Sequence, residues 1–268
     1  AWQARRPGQA PAAALIPPMS DRPLRALVFA AGKGERTRPL TDTLPKPLLP
    51  VGGKPLIVWH LEKLAALGVR EVVINTSWLA DRFAPALGDG AAWGLRLHYV
   101  YEGPEPLETG GGMLNALPWL GSEPFLAIAG DVFTDFDFAR LPREPRGLAH
   151  LVMVENPPHH PQGDFRLDHE GRLHPRTAGD AGEDPGTALT FAGIGLYRPA
   201  LLAHWREAVG NAPGADGHPP RFKLRPLLEA AMAAGQLHGE RHAGHWTDVG
   251  TPERLAALDA GIRAQAFD

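Results

Sequence analysis

From Leu24 onward the chain alternates short apolar runs with segments whose apolar residues return every three or four positions. This is the pattern of an α/β domain, a mixed, mostly parallel sheet with helices on both faces. Residues 24–30 read as the first strand. Pro55 is placed to open a helix in which Leu56, Trp59, His60, Lys63, Leu64 and Leu67 share a face, and Gly68 to end it. A strand follows at 71–75, then a helix near 80–87, a strand near 97–101 and a glycine-led helix from about 112 to 116. Residues 125–129 are apolar without alternation, a buried strand. Beyond 131 the order becomes mixed: strands at 148–154 and 190–197, a hairpin over 165–173 turning at Glu170-Gly171, and helices at 222–234 and 252–266. No repeat of 20 to 50 residues is visible, which disfavours a solenoid.

At 268 residues and 44% apolar, the chain is long enough to bury a substantial core, and a single domain over 23–268 is expected. The formal charge of −3 offers no global attraction to nucleic acid or to an anionic membrane, so any polyanion must be held locally. The seven tryptophans are scattered and form no stacking platform for bases. No apolar run approaches the ~18 residues needed to span a bilayer. The absence of cysteine excludes disulfides and thiolate zinc sites and fits a cytoplasmic setting. Residues 1–22 are rich in Ala and Pro and read as a disordered extension. Arg5-Arg6 runs into Pro7-Gly8-Gln9 rather than the apolar segment a twin-arginine signal needs. Proline and glycine concentrate in 174–186 and 210–220, which are expected as surface loops. Oligomeric state has no signature in the chain.

The first strand runs into Ala30-Ala31-Gly32-Lys33-Gly34-Glu35-Arg36-Thr37-Arg38-Pro39-Leu40-Thr41, with Pro45-Lys46-Pro47-Leu48-Leu49-Pro50-Val51 close behind. The glycines let the backbone approach an anion, and Lys33, Arg36, Arg38 and Lys46 gather positive charge, as in a loop that cradles phosphates. It is not a P-loop, which needs glycine directly before Lys-Ser or Lys-Thr. Nor is it a dinucleotide fingerprint: Thr37 stands in place of the third glycine, and the strand at 71–75 ends in Asn75 rather than an acidic residue, which disfavours a dehydrogenase. A plain glycine turn with solvated charges would explain the two glycines alone, but not their company with Arg36 and Pro45-Lys46-Pro47. The strand at 125–129 ends in Gly130-Asp131. Open parallel sheets bind ligands beyond the carboxyl ends of their strands, so the Gly32 loop and Asp131 are expected on one edge.

These two motifs resemble the hallmark of the sugar-1-phosphate nucleotidyltransferases, A-A-G-x-G-x-R-x-x-P-L-T followed by P-K-P-L-x-P-V, and the resemblance extends from about residue 25 to about 262. Leu107-Glu108-Thr109-Gly110-Gly111-Gly112, Asn156-Pro157-Pro158-His159-His160, Gly163-Asp164-Phe165, Phe222-Lys223-Leu224 and His245-Trp246-Thr247-Asp248-Val249-Gly250-Thr251 look like one branch of it. That branch joins UTP to N-acetylmuramic acid α-1-phosphate in cell-wall recycling. The resemblance implies a Rossmann-like nucleotidyltransferase fold, Mg²⁺ as cofactor, and attack by a sugar-1-phosphate oxygen on the α-phosphorus of UTP with release of pyrophosphate. It gives catalytic roles to Arg36, Lys46 and Asp131, and nucleotide contacts to Ala31, Gly32, Lys33, Gly34 and Glu35. Thr109 and Gly110 would read the base. Asn156, Asp164 and Lys223 would hold the sugar phosphate, with Glu155 as a further possibility, and Asp131 and Asp248 the metal.

The chemistry suits these residue types. The nucleophile is already an anion, so the protein needs to neutralise phosphate charge and align the attack rather than supply a strong base. An arginine fork grips phosphate oxygens bidentately, a lysine holds one as a point charge, and hard carboxylate oxygens suit Mg²⁺. The lactyl carboxylate of N-acetylmuramic acid calls for a cation, with Arg38, His159, His160 and Arg166 near in sequence. Each residue also has a plainer reading: Asp131, Asp248, Asn156 and Asp164 as caps or turn residues, Lys223 as a solvated lysine, the glycines as a helix start. His242 and His245 have H-x-x-H spacing, but no glutamate follows His242, so a metal site there is disfavoured. Two other functions remain open: a guanylyl- or thymidylyltransferase acting on mannose or glucose 1-phosphate, and a catalytically silent regulatory protein on the same fold. Thr37 departs from the family pattern, which more often has an apolar residue there, as does the proline-rich loop at 210–220.

Overall fold

The computed structural model describes residues 24–176 and 186–264. The expected disordered extension, most of the 174–186 loop and the end of the last helix lie outside the described residues. β1 (Arg25–Phe29) leads through the glycine loop to a small hairpin, β2 (Pro50–Val51) with β3 (Lys54–Pro55), and then to α1 (Leu56–Leu67). Pro55 caps α1 where a missing N–H is harmless, and the helix ends at Gly68, as its spacing predicts. β4 (Glu71–Thr76), α2 (Phe83–Leu87), β5 (Arg96–Tyr101), α3 (Glu108–Leu120) and β6 (Phe125–Ala129) continue the alternation. The second half is richer in antiparallel pairs: β7 (Val132–Thr134), β8 (Ala149–Val154), β9 (Phe165–Leu167), β10 (Leu173–Pro175) and β11 (Thr187–Tyr197). α4 (Trp205–Val209), α5 (Arg225–Ala233), β12 (Leu237–His242), β13 (Trp246–Asp248) and α6 (Pro252–Arg263) complete the described chain.

β1 lies between β4 and β6, parallel to both, with Phe29 opposite Asn75 on one side and Ala129 on the other. β5 extends the sheet in parallel beyond β4, and β11 runs antiparallel to β6 on the other side. The carboxyl ends of β1, β4 and β6 therefore open onto one edge. β11 is long enough to pair with β6, β8 and β9 in turn, and its register with β8 shifts between Phe191 and Gly195. The small sheet of β7 and β13 sits apart and brings Asp248 opposite Val132.

β1 is apolar on both faces because both are covered. Leu27 joins Met113, Ala116 and Leu120 of α3 and Leu227 and Leu228 of α5 on one side. Ala26 and Val28 join Ile57, Leu61 and Leu64 of α1 and Phe83 of α2 on the other. A smaller cluster of Leu49, Val51, Leu56, Phe133, Val249, Leu255 and Leu258 ties the lysine loop to β7 and α6. That cluster fixes the Asp248 turn against the rest of the domain.

Two expected helices start elsewhere, for one shared reason. α3 begins at Glu108 rather than near 112, and α5 begins at Arg225 rather than 222. The Phe222 N–H donates to the Leu107 carbonyl (3.1 Å), and the Phe222 carbonyl accepts from the N–H groups of Gly110 and Gly111, each at 3.0 Å. Phe222 is thus committed to the start of α3 and is unavailable to a helix of its own.

Candidate active site

The glycine loop after β1 is braced from three sides. The Ala30 N–H donates to Asn75 Oδ1 at the end of β4 (2.7 Å). Gly34 adopts a left-handed conformation (φ 65°), and a Cβ there would stand 2.8 Å from the Thr41 methyl; Thr41 Oγ1 donates to the Gly34 carbonyl (2.8 Å). Thr37 is fully buried, with its hydroxyl directed at the Gly250 carbonyl (3.4 Å), so it ties the loop to the Asp248 turn. The loop and Arg36 border a cavity of about 810 Å³ at the sheet edge. Ala31, Gly32, Lys33, Glu35, Arg36, Lys46, Thr109, Asp131 and Asp164 all line it. A Cβ on Gly32 would meet nothing within 4 Å, so the neighbouring protein does not demand glycine there.

Lys46 is buried at 8% exposure, which rules out a solvated lysine, and its Nζ lies 3.2 Å from Asp131 Oδ2. Asp131 and Asp248, distant in sequence, become neighbours through the pairing of β7 with β13; the Val249 N–H donates to the Asp131 carbonyl (2.8 Å). Both carboxylates line a second, smaller cavity that shares Arg36 and Asp164 with the first. Asp248 Oδ1 accepts from Arg254 Nη1 (2.8 Å) and lies 3.0 Å from His159 Nε2. Gly250 is required for this contact, because a Cβ there would run into the Arg254 guanidinium. Thr251 caps α6 by accepting from the Arg254 N–H. Two hard carboxylates lining one cavity, each with a second oxygen outside these ion pairs, fit a Mg²⁺ that would complete its shell with phosphate oxygens and water.

Of the two residues expected to read the base, Thr109 lines the cavity and Gly110 does not. Gly110 lies outside the cavity lining, and the N–H groups of Gly110 and Gly111 are taken by the Phe222 carbonyl. These glycines serve close packing: a Cβ on Gly110 would stand 2.5 Å from the Phe222 ring, and one on Gly112 2.5 Å from Glu102 Oε1. Thr109 lines the cavity, but its hydroxyl also accepts from the Leu224 N–H (3.1 Å). Asn75 and Glu102 line the cavity beside Thr109. Glu102 is buried; it accepts from Asn75 Nδ2 through one oxygen (2.6 Å) and from the Leu107 N–H through the other (2.8 Å). Burial pushes its carboxyl above the usual range, against the pull of those bonds. At the rim, Lys33 Nζ reaches across to Glu105 (2.8 Å), which holds that carboxyl below its usual range.

Among the residues expected to hold the sugar phosphate, Asp164 Oδ2 accepts from the Phe191 N–H (2.9 Å), leaving Oδ1 near His160 Nε2 (3.3 Å). Asn156 does not reach either cavity. Its amide donates to the carbonyls of Ala188 (3.0 Å) and Pro161 (3.3 Å) and accepts from Thr190 Oγ1 (2.9 Å), so it braces the His159-His160 loop. Lys223 is exposed and lines neither cavity, since the segment tied to α3 turns it outward. Glu155 pairs with Arg241, also away from both cavities. His242 Nε2 lies 2.6 Å from Asp135 Oδ1.

Asn75 and Glu102 were within reach of sequence reasoning, because the strand-end rule that selects Asp131 applies equally to the last residues of β4 and β5. Arg221, Arg225 and Arg254 have no such signal. Arg221 and Arg225 line the large cavity from the segment before α5 and from its first turn, and Arg254 reaches back from α6.

A nucleotidyl transferase family model matches residues 25–174. The chain is 45% identical over 242 residues to the N-acetylmuramate alpha-1-phosphate uridylyltransferase of Neisseria meningitidis serogroup B, across 88% of this chain and 97% of that protein. It is 32% identical over 249 residues to the mannose-1-phosphate guanylyltransferase of Mycobacterium tuberculosis, across 91% of this chain and 66% of that one. A Bacillus anthracis glucose-1-phosphate thymidylyltransferase candidate crystallised with sucrose shares the fold, with a TM-score of 0.71 at 20% identity over 90% of this chain and 95% of that one. The family match spans the phosphate loop, Lys46, Asp131 and Asp164, the residues that converge at the sheet edge: the chain belongs to the nucleotidyl transferase family, as a sugar-1-phosphate nucleotidyltransferase.

Proposed function

We propose that this chain transfers the uridylyl group of UTP to N-acetylmuramic acid α-1-phosphate, giving UDP-N-acetylmuramic acid and pyrophosphate. The near full-length likeness to the Neisseria relative carries this reading. A phosphate oxygen of the sugar 1-phosphate bonds to the α-phosphorus as the bond to the bridging oxygen of the β-phosphate breaks, and that electron pair leaves with pyrophosphate. Arg36, on the loop shared by both cavities, grips the departing phosphates, and Lys46 holds an α-phosphate oxygen from its buried seat. Asp131 and Asp248 would hold Mg²⁺, which would supply neutralisation of the triphosphate charge. Asp164, fixed by the Phe191 N–H, accepts from a sugar hydroxyl. Ala31, Gly32, Lys33, Gly34 and Glu35 form the nucleotide's bed, and Thr109 belongs to its base wall. We assign the reaction to the cytoplasm, where UTP is made; among the described residues no helix is long and apolar enough to cross a membrane.

A matrix of nucleoside triphosphates against sugar 1-phosphates, scored by pyrophosphate release, tests the reading. The highest kcat/KM is expected for UTP with N-acetylmuramic acid 1-phosphate. A preference for GTP with mannose 1-phosphate would move the chain to the guanylyltransferases, which the Mycobacterium likeness keeps as the second reading.

A further inference from the structure

N-acetylmuramic acid carries a lactyl ether, a carboxylate with a methyl beside it, and a selective site must answer both. Of the cations near in sequence, Arg38 pairs with Asp42 (3.3 Å) and Arg166 donates to the Gly186 carbonyl (3.2 Å), and neither lines either of the two cavities. Within the large cavity, Lys33 is bonded to Glu105, Lys46 to Asp131, and Arg221 to Glu108 and the Pro106 carbonyl, while Arg36 stands on the phosphate loop. Arg225 stands on the opposite wall. Its Nε is held by Glu229 (2.8 Å), its guanidinium lies over the Phe165 ring with 5.3 Å to the centroid, and its Nη1 is 3.9 Å from Asp164 Oδ1. That last contact is too long for a hydrogen bond, so this end of the fork can be taken by an incoming carboxylate. Asp164 is meanwhile anchored through its other oxygen and also faces His160. Phe165 and Leu228 give the same wall an apolar surface.

We infer that Arg225 is the specificity-determining residue of the sugar subsite: it binds the lactyl carboxylate of the acceptor, with the lactyl methyl against Phe165 and Leu228. This rests on the proposed acceptor. Asp164 and Arg225 together then sort the sugar, one accepting from a hydroxyl and the other gripping the acid that distinguishes N-acetylmuramic acid from N-acetylglucosamine.

The test compares kcat/KM for N-acetylmuramic acid 1-phosphate and N-acetylglucosamine 1-phosphate, each with UTP, in the parent, Arg225→Ala and Arg225→Lys. A charge-assisted contact predicts a parent preference for the lactyl sugar of roughly tenfold to a hundredfold, mostly in KM. Arg225→Ala should reduce that preference to within about threefold, and Arg225→Lys should restore part of it. Methyl esterification of the lactyl acid should weaken the parent and leave Arg225→Ala nearly indifferent. If Arg225→Ala keeps the parental preference, the carboxylate is read elsewhere and the inference fails while the substrate assignment stands. If the parent itself shows no preference for the lactyl sugar, the proposed acceptor fails, and the role of Arg225 with it.

Discussion

The Asn75 side chain joins the glycine loop to the buried Glu102: its oxygen accepts the Ala30 N–H at 2.7 Å, and its nitrogen donates to Glu102 Oε1 at 2.6 Å. The Ala30 bond dictates which way the amide points. With Leu107 donating to the second oxygen, Glu102 must accept through both.

Glu102→Gln should therefore set an NH₂ group against a donor. We expect a loss of about 1–3 kcal/mol from the stranded buried donor, read as a lower urea midpoint at unchanged m-value. Equal or higher stability would mean that the cost of burying the charge outweighs its hydrogen bonds.

Asp131→Asn and Asp248→Asn should each lower turnover by ~10²-fold or more, the scale of losing one preorganised electrostatic group. The fold should survive in both, because the β7 and β13 pairing is made by backbone groups. Pyrophosphate release in excess EDTA provides the independent check. Undiminished activity there, or in both variants, would remove the metal from the mechanism.

Two glycines should respond to alanine in opposite ways. Gly32→Ala adds a methyl into open space, so stability should stay within ~0.5 kcal/mol while KM for UTP rises. Gly110→Ala drives a methyl against the Phe222 ring and should cost about 1–3 kcal/mol of stability. Thermal melts with UTP titration distinguish the two. A Gly32→Ala enzyme with parental KM would take Gly32 out of the nucleotide bed.

His60 is buried in α1 beneath the catalytic edge, where it donates to the Val132 carbonyl (2.8 Å). Burial lowers its pKa to about 4; Lys63 also lowers it, while the Val132 bond and Asp131 raise it. The unfolded chain takes up the proton near its ordinary value of about 6.5, before the native state does. The stability linked to His60 is thus present above pH 6.5 and is lost as the pH falls toward 4, by about 3 kcal/mol in all. His60→Gln keeps a donor without this titration, so its Tm should fall less steeply between pH 7 and 4 than the parent's. Parallel curves would show that His60 does not carry the acid sensitivity.

The elements legible in the chain are those whose cause is local. β1, α1, β4 and β6 follow from apolar runs, three- and four-residue spacing, Pro55 and Gly68, because a strand covered on both faces and a helix on one face impose those periods within a few residues. The phosphate loop is legible for the same reason: Gly32, Gly34, Arg36 and Lys46 are close along the chain, and their chemistry does not wait for folding to assemble it.

Where segments distant in the chain compete for one hydrogen-bonding group, the outcome belongs to the folded state. The Phe222 carbonyl takes the N–H groups of Gly110 and Gly111, which sets the start of α3, occupies those amides and leaves Lys223 outside the cavities. Asn156 spends its amide on Pro161, Ala188 and Thr190, and so braces a loop. The meeting of Asp131 with Asp248 comes from strand pairing, and the seats of Arg225 and Arg254 come from helix packing. Periodicity reports which face of an element is covered. It carries no record of which distant backbone group will satisfy a given donor, and the catalytic edge is assembled from such long-range pairings.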